Sequence, residues 1–180
     1  MNLLAISGSL RRGSYNSALL HAATAVLPAE VELRVWRGLD QIPAYNEDFT
    51  SAPLAVVVLK RALAQADAVL FATPEYNASI PGALKNALDW ASRPLETNPL
   101  REKPVAVIGA SQGIFGAIWA QAELRKILRT LGAQVDGREL VVAHAQQAFT
   151  TSGTLRDREL ARALAEIVGG LLDTMCDRAA

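Results

Sequence analysis

Short apolar runs alternate along the chain with stretches of helical periodicity. Residues 2–6, "NLLAI", are apolar and stop at Ser7-Gly8, the pattern of a buried parallel strand that feeds a loop. A helix is expected from about Asn16 through "SALLHAATAVL", closed by Pro28. "VELRVW", Val31 to Trp36, alternates as a strand near a sheet edge does. A polar connection, "RGLDQIPAYNEDF", follows with Tyr45, Asn46 and Asp48 expected to be exposed, and Pro53 then opens a helix reaching Gln65.

The second half repeats the alternation. "DAVLFAT", Asp67 to Thr73, reads as a central strand ending at Pro74. The helix after Pro81 carries Leu84, Ala87 and Leu88 at helical spacing, with Trp90 beyond. "KPVAVIGA" is the next strand, a helix from about Ile118 to Leu131 stops at Gly132, "RELVVA" is the last strand, and Leu155 to about Met175 the last helix. Five strands alternating with five helices predict a single doubly wound α/β domain over residues 1–180. Ligands of such sheets bind beyond the carboxyl ends of the strands. Three of those ends carry unusual loops, at residues 7–15, 74–80 and 111–116, and these are expected to converge.

Composition narrows the chemistry. The 18 basic and 18 acidic residues cancel, which argues against a broad nucleic-acid surface and leaves room for one local cation at a small phosphate. The apolar share of 51% suggests that some surface is reserved for a partner subunit. Cys176 is the only cysteine, so an internal disulfide and a cysteine-ligated cluster are excluded, and it is expected to pack at a helix end. His21 and His144 have no metal-ligand spacing around them, and no metal is expected. Without a charged segment leading a long apolar one, and with no apolar run of about 18 residues, a cytoplasmic protein without membrane insertion is expected.

The first loop half-matches two nucleotide signatures and completes neither. "GSLRRGS" has the glycine spacing of a P-loop, but Ser14 stands where that loop needs lysine. No third glycine sits at the helix to complete a dinucleotide fingerprint. What remains is Ser9, Arg11, Ser14, Tyr15, Asn16 and Ser17 around a helix N-terminus, where free amides, hydroxyls, the Asn16 carboxamide and the Arg11 charge suit a phosphomonoester, with Arg12 directed to solvent. The alternative is that Ser14 or Asn16 only caps the helix. Capping alone does not account for serines at 7, 9, 14 and 17 interleaved with two arginines.

"GSLRRGSYNSALL", then "ATPEYNASIPGALKNALDWAS", then "GASQGIFGA" resemble, in order and spacing, the NAD(P)H-dependent FMN reductases, a family of flavodoxin-like quinone and chromate reductases. The resemblance covers almost the whole chain and implies a three-layer sandwich on a five-stranded parallel sheet, in the order 2-1-3-4-5. It implies FMN as cofactor and NADPH or NADH as electron donor. Reduction would be ping-pong, with quinones, free flavin, azo compounds or metal oxyanions such as chromate as acceptors, and no side chain is picked out as catalytic. It places Pro74, Glu75, Tyr76 and Asn77 against the flavin ring, and Ser111, Gln112 and Gly113 at its pyrimidine edge. Gly113 and Gly116 are expected to let backbone approach the ligand. Lys85 and Asp89, four residues apart, read as a helix-surface ion pair, and Asn86 and Asp89 are expected to hold the second loop. The resemblance further implies a homodimer or homotetramer built on helices 82–91 and 118–131, with Tyr45, Asn46 and Asp48 bordering the partner's site. A flavodoxin-type electron carrier without nicotinamide oxidation shares the same fold and cofactor, and a non-redox module on this fold is a third reading.

Overall fold

Along β1 (Asn2–Ser7), Leu3 and Ala5 point to one face of a sheet and Leu4 and Ile6 to the other, and the two sets end in different cores. The computed structural model describes residues 1–179. Its strands are parallel, in the order β2 (Glu32–Trp36), β1, β3 (Ala68–Thr73), β4 (Pro104–Ala110), β5 (Gln134–Val135), with β6 (Val141–Val142) also on β4. Every residue of β3 and β4 is buried, as strands covered on both faces must be. Helices α1 (Tyr15–Thr24) and α5 (Arg158–Ala179) cover one face, where Leu19, Leu20, Leu164 and Ile167 meet Leu70 and Ile108. Helices α2 (Leu54–Gln65), α3 (Gly82–Ala91) and α4 (Ile118–Thr130) cover the other, where Val56, Leu84 and Leu124 meet Ile6, Phe71 and Val107. This is the flavodoxin-like three-layer sandwich expected from the sequence, in the expected strand order.

Helix limits follow local chemistry. Ser14 caps α1, its hydroxyl accepting the Ser17 amide at 3.3 Å. Helix α1 ends at Thr24, before the expected Pro28. The other terminus is as expected: Gly132, at φ 83°, closes α4 while the amides of Gly132 and Ala133 bond the carbonyls of Arg129 and Leu128. Helix α5 starts at Arg158, after the expected Leu155. Cys176 is exposed on α5, so the expected packing role is corrected.

The fifth strand differs from expectation. "RELVVA" was to be one strand, but only Val141–Val142 pairs, against Gly109 and Ala110, while Gln134–Val135 pairs with Pro104 and Val105. Between them the Asp136 carboxylate accepts the Arg138 backbone amide at 2.8 Å, turning the chain out at Asp136-Gly137. Helix α4 supplies the missing ladder bonds. Gln121, fully buried, donates to the Leu140 carbonyl at 2.9 Å and accepts its amide at 3.4 Å. One turn later the buried Arg125 pairs with Glu139, and burial pulls its guanidinium below the ordinary value against the Glu139 charge.

Gly116 lies where the third loop crosses β6. A Cβ there would fall 2.5 Å from Val141 Cγ1 and 2.9 Å from the Val141 carbonyl carbon, and φ is 52°. Its close approach is therefore to β6, which corrects the expectation that Gly116 opens the way to a ligand. Gly116→Ala is expected to destabilise the protein by about 2–4 kcal/mol through overpacking and left-handed strain. A lower urea midpoint at unchanged slope checks this.

Candidate functional site

The carboxyl ends of β1, β3 and β4 bring the three loops together around an open cleft of about 200 Å³. Ser9, Arg11, Ser14, Tyr15 and Asn16 line it from the first loop, Pro74, Glu75 and Tyr76 from the second, and Ser111 and Gln112 from the third, with Ala110 at the floor. Ser17, Asn77 and Gly113 are exposed beside it rather than in its lining. Gly8 lets the first two loops nest, since a Cβ there would come within 3.0 Å of Leu84 and 3.4 Å of Pro74.

At one end the first turn of α1 presents an anion seat. The Ser17 amide is capped by Ser14 Oγ and the Ala18 amide by the Ser14 carbonyl, which leaves the Tyr15 and Asn16 amides, the first two of the helix, without an acceptor among the described residues, in two residues that line the cleft. The Arg11 guanidinium lies 4.8 Å above the Tyr15 ring and has no carboxylate partner among the described residues. Tyr15 is itself held: its ring stacks parallel to Phe149 at 6.5 Å, and its hydroxyl accepts Gln112 Nε2 at 3.3 Å. Ser7 Oγ accepts the Ser9 amide and the Ser17 hydroxyl, at 3.3 and 3.2 Å, tying the serines of the loop to one another.

Asn16 is placed differently from expectation. Its carboxamide is buried, donating to the Ala110 carbonyl and accepting the Ala110 amide, both at 3.0 Å. The side chain therefore joins α1 to the end of β4, and the expectation that it donates to a phosphate is corrected, since both of its polar atoms bond Ala110.

In the second loop, Tyr76 and Ser79 exchange backbone hydrogen bonds at 2.9 and 3.1 Å, around Asn77 at φ 53° and Ala78 at φ 61°. This is a type I′ hairpin turn, and an alanine at its second position stores roughly 1–2 kcal/mol of strain. The Tyr76 amide is consumed by the turn, leaving the Glu75 and Asn77 amides and the exposed Tyr76 ring for a ligand. Neither Asn86 nor Asp89 holds this loop. Asn86 accepts the Tyr45 amide at 2.8 Å and donates to the Pro43 carbonyl at 2.8 Å, and Asp89 pairs with Lys85 at 2.7 Å as the i, i+4 spacing predicts. Tyr45 is half-buried, edge-on to Trp90 at 4.9 Å, and Asn46 accepts the Asp48 amide at 2.9 Å; Tyr45 and Asn46, but not Asp48, line a separate depression of about 530 Å³. Among the described residues no group of three acidic, histidine or cysteine side chains is placed to hold a metal.

Four contributors escaped the sequence. Phe149 and Ala110 act through partners far along the chain, and no local pattern marks them. Trp119 and Ala120 donate their amides to Glu75 Oε2 at 3.1 and 3.2 Å, a contact no spacing rule anticipates.

Asn16→Ala leaves the buried Ala110 amide and carbonyl unpaired, and is expected to cost about 2–4 kcal/mol of stability. Urea denaturation of the purified variant checks the size of the loss.

Comparison with known proteins agrees with this geometry. Residues 1–147 match the family described as NADPH-dependent FMN reductase. An NAD(P)H-dependent FMN reductase of Pseudomonas aeruginosa is 46% identical over 160 residues, covering 87% of this chain and 85% of that protein. A quinone reductase of Escherichia coli is 39% identical over 138 residues, covering 75% and 73%. The solved structure of the flavoenzyme NAD(P)H:(acceptor) oxidoreductase FerB from Paracoccus denitrificans superposes with a TM-score of 0.86 at 35% identity, covering 98% of this chain and 97% of that one. With the cleft, the sheet order and these relatives in agreement, the chain belongs to the NADPH-dependent FMN reductase family, whose enzymes use FMN and NAD(P)H.

Proposed function

We propose that the three-loop cleft holds one FMN and that the protein is an NAD(P)H-dependent reductase of quinones, with free flavin, azo compounds and metal oxyanions such as chromate as further acceptors. The observation that carries this reading is the anion seat: two helix-start amides and an arginine without a carboxylate partner, beside a cleft whose far side is backbone and an aromatic ring. That donor set fits a phosphate dianion at one end and a planar heterocycle at the other.

Each residue has a binding or orienting task. Arg11 and the Tyr15 and Asn16 amides hold the phosphate, with Ser9, Ser14 and Ser17 hydroxyls around it. Tyr15, clamped between Phe149 and Gln112, keeps Arg11 over the seat. Pro74, buried and lacking an N–H, stiffens the loop from which the Glu75 backbone amide, the Tyr76 ring and Asn77 face the flavin ring, and Ser111, Gln112 and Gly113 meet its polar edge. When bound there, FMN would supply the hydride and electron-transfer chemistry between NAD(P)H and the acceptor, which leaves binding and orientation to the protein. The absence of a proton-transfer assignment for any side chain follows from that division of labour.

The protein is further read as a cytoplasmic homo-oligomer, a dimer or tetramer. Among the described residues no helix is long and apolar enough to cross a membrane. The buried apolar positions of α3 and α4 face the sheet, and a subunit interface would be built on the exposed Ile114 and Phe115 before α4 and Trp119 in its first turn.

Arg11→Ala is expected to weaken FMN binding by about 1.5–3 kcal/mol, the worth of a charge-assisted hydrogen bond. Arg12→Ala is expected to leave it unchanged. Flavin fluorescence titration of the cofactor-free protein reads both, and equal affinity in Arg11→Ala and the unaltered protein rejects the seat. The FMN-loaded protein is expected to lose its flavin absorbance when NADPH or NADH is added anaerobically without a partner enzyme, and to regain it with a quinone. No bleaching would mark an electron carrier, and a protein that takes up no FMN would mark a non-redox module.

A further inference from the structure

Helix α4 begins without a cap of its own. Ala117 stands at the cap position at φ 63° with no side-chain oxygen to offer, and it is fully buried. Of the three first-turn amides, Ile118, Trp119 and Ala120, one finds a backbone acceptor: Ile118 bonds the Phe115 carbonyl at 3.0 Å, ahead of the first regular helix bond, from Gln121 to the Ala117 carbonyl at 3.0 Å. The other two, Trp119 and Ala120, go to one oxygen of Glu75, 44 and 45 residues earlier in the chain. The carboxylate also meets the positive end of the helix dipole, where a negative charge is favoured.

Glu75 is at the same time part of a stiff loop. Thr73 Oγ1 donates to the Pro74 carbonyl at 2.8 Å, and the Tyr76–Ser79 turn closes the other side of the residue. On the α4 side, Phe115 and Trp119 lie 4.6 Å apart, both about half exposed, as is Tyr76. One carboxylate thus spans the gap between the loop that bears Tyr76 and the start of α4, with Trp119 on the helix and Phe115 in the loop just before it.

We infer that Glu75 is a positioning residue: its carboxylate clamps the second loop to the start of α4 and so sets the spacing between Tyr76 and the Phe115–Trp119 pair at the edge of the cleft. The clamp stands on the hydrogen bonds alone. Its consequence for turnover rests on the FMN reading above.

The clamp is tested on the cofactor-free protein by hydrogen exchange in Glu75→Ala, in Glu75→Leu, which fills similar space without an acceptor, and in Glu75→Gln, which keeps an oxygen. Loss of a cap of this strength is expected to speed exchange about tenfold at the Trp119 and Ala120 amides and also at the Tyr76 and Ser79 amides. Glu75→Gln is expected to stay within about threefold of the unaltered protein. In the FMN-loaded enzyme the Ala and Leu variants are expected to raise the quinone KM about tenfold while kcat stays within about threefold, and Glu75→Gln to rescue KM.

Faster exchange confined to Trp119 and Ala120, with Tyr76 and Ser79 still protected, would reduce Glu75 to a helix cap and overturn the inference. So would an unchanged KM in the Ala and Leu variants, or a Gln variant as impaired as they are. If Glu75→Ala fails to fold, the Leu and Gln variants carry the comparison. A protein that binds no FMN in its unaltered form would sink the FMN reading, while the exchange pattern would still decide the clamp.

Discussion

The Asn16 carboxamide bonds both backbone groups of Ala110, and through that pair the start of α1 is locked to the end of β4. An amide side chain offers one donor and one acceptor at a spacing that matches a peptide group, so it can complete a strand end as another strand would. The pair is buried, which makes either half costly to leave unpaired. The first and third loops leave the sheet from the two sides of this joint, and the cleft lies between them.

The rest of the site follows the same rule, in which a polar side chain finishes backbone groups that secondary structure leaves unpaired. Glu75 completes the start of α4, Gln121 completes the strand at Leu140, and Ser14 completes α1. Left-handed backbone also occurs at these places, at Asn77 and Ala78 in the second loop and at Gly116 and Ala117 before α4. Such conformations persist where surrounding contacts over-determine them. Here the contacts are those polar ties, and they leave the Tyr15 and Asn16 amides without an acceptor, and the Arg11 guanidinium without a carboxylate partner, among the described residues.

The interrupted fifth strand has a related role. Leaving the sheet at Asp136 and returning at Val141 lets β6 pair with the last residues of β4, next to Ser111, whose amide bonds the Val142 carbonyl and whose carbonyl accepts the Ala145 amide. The third loop is therefore held by a short strand that reaches only the carboxyl end of the sheet. A continuous fifth strand would be cheaper in backbone terms, and the buried Gln121 and the Arg125–Glu139 pair are what the detour requires.

Much of this was legible in the chain. The apolar runs specified the buried parallel strands, because burial on both faces leaves a continuous pattern that needs no partner to be read, while the strand order followed from the resemblance of the three loop motifs. The clustered serines with Arg11, and the "PEYN" segment at a strand end, marked the loops of the cleft, because each signature is local. Tertiary structure decided what each polar side chain does. The Asn16 carboxamide went to Ala110, Asn86 to the segment at Pro43 and Tyr45, Glu75 to α4, and Gly116 to a close crossing of β6. The reason is physical: periodicity records which face of an element is buried, whereas a hydrogen bond needs two atoms within about 3 Å, and residues far apart in the chain reach that distance only after the layers have packed.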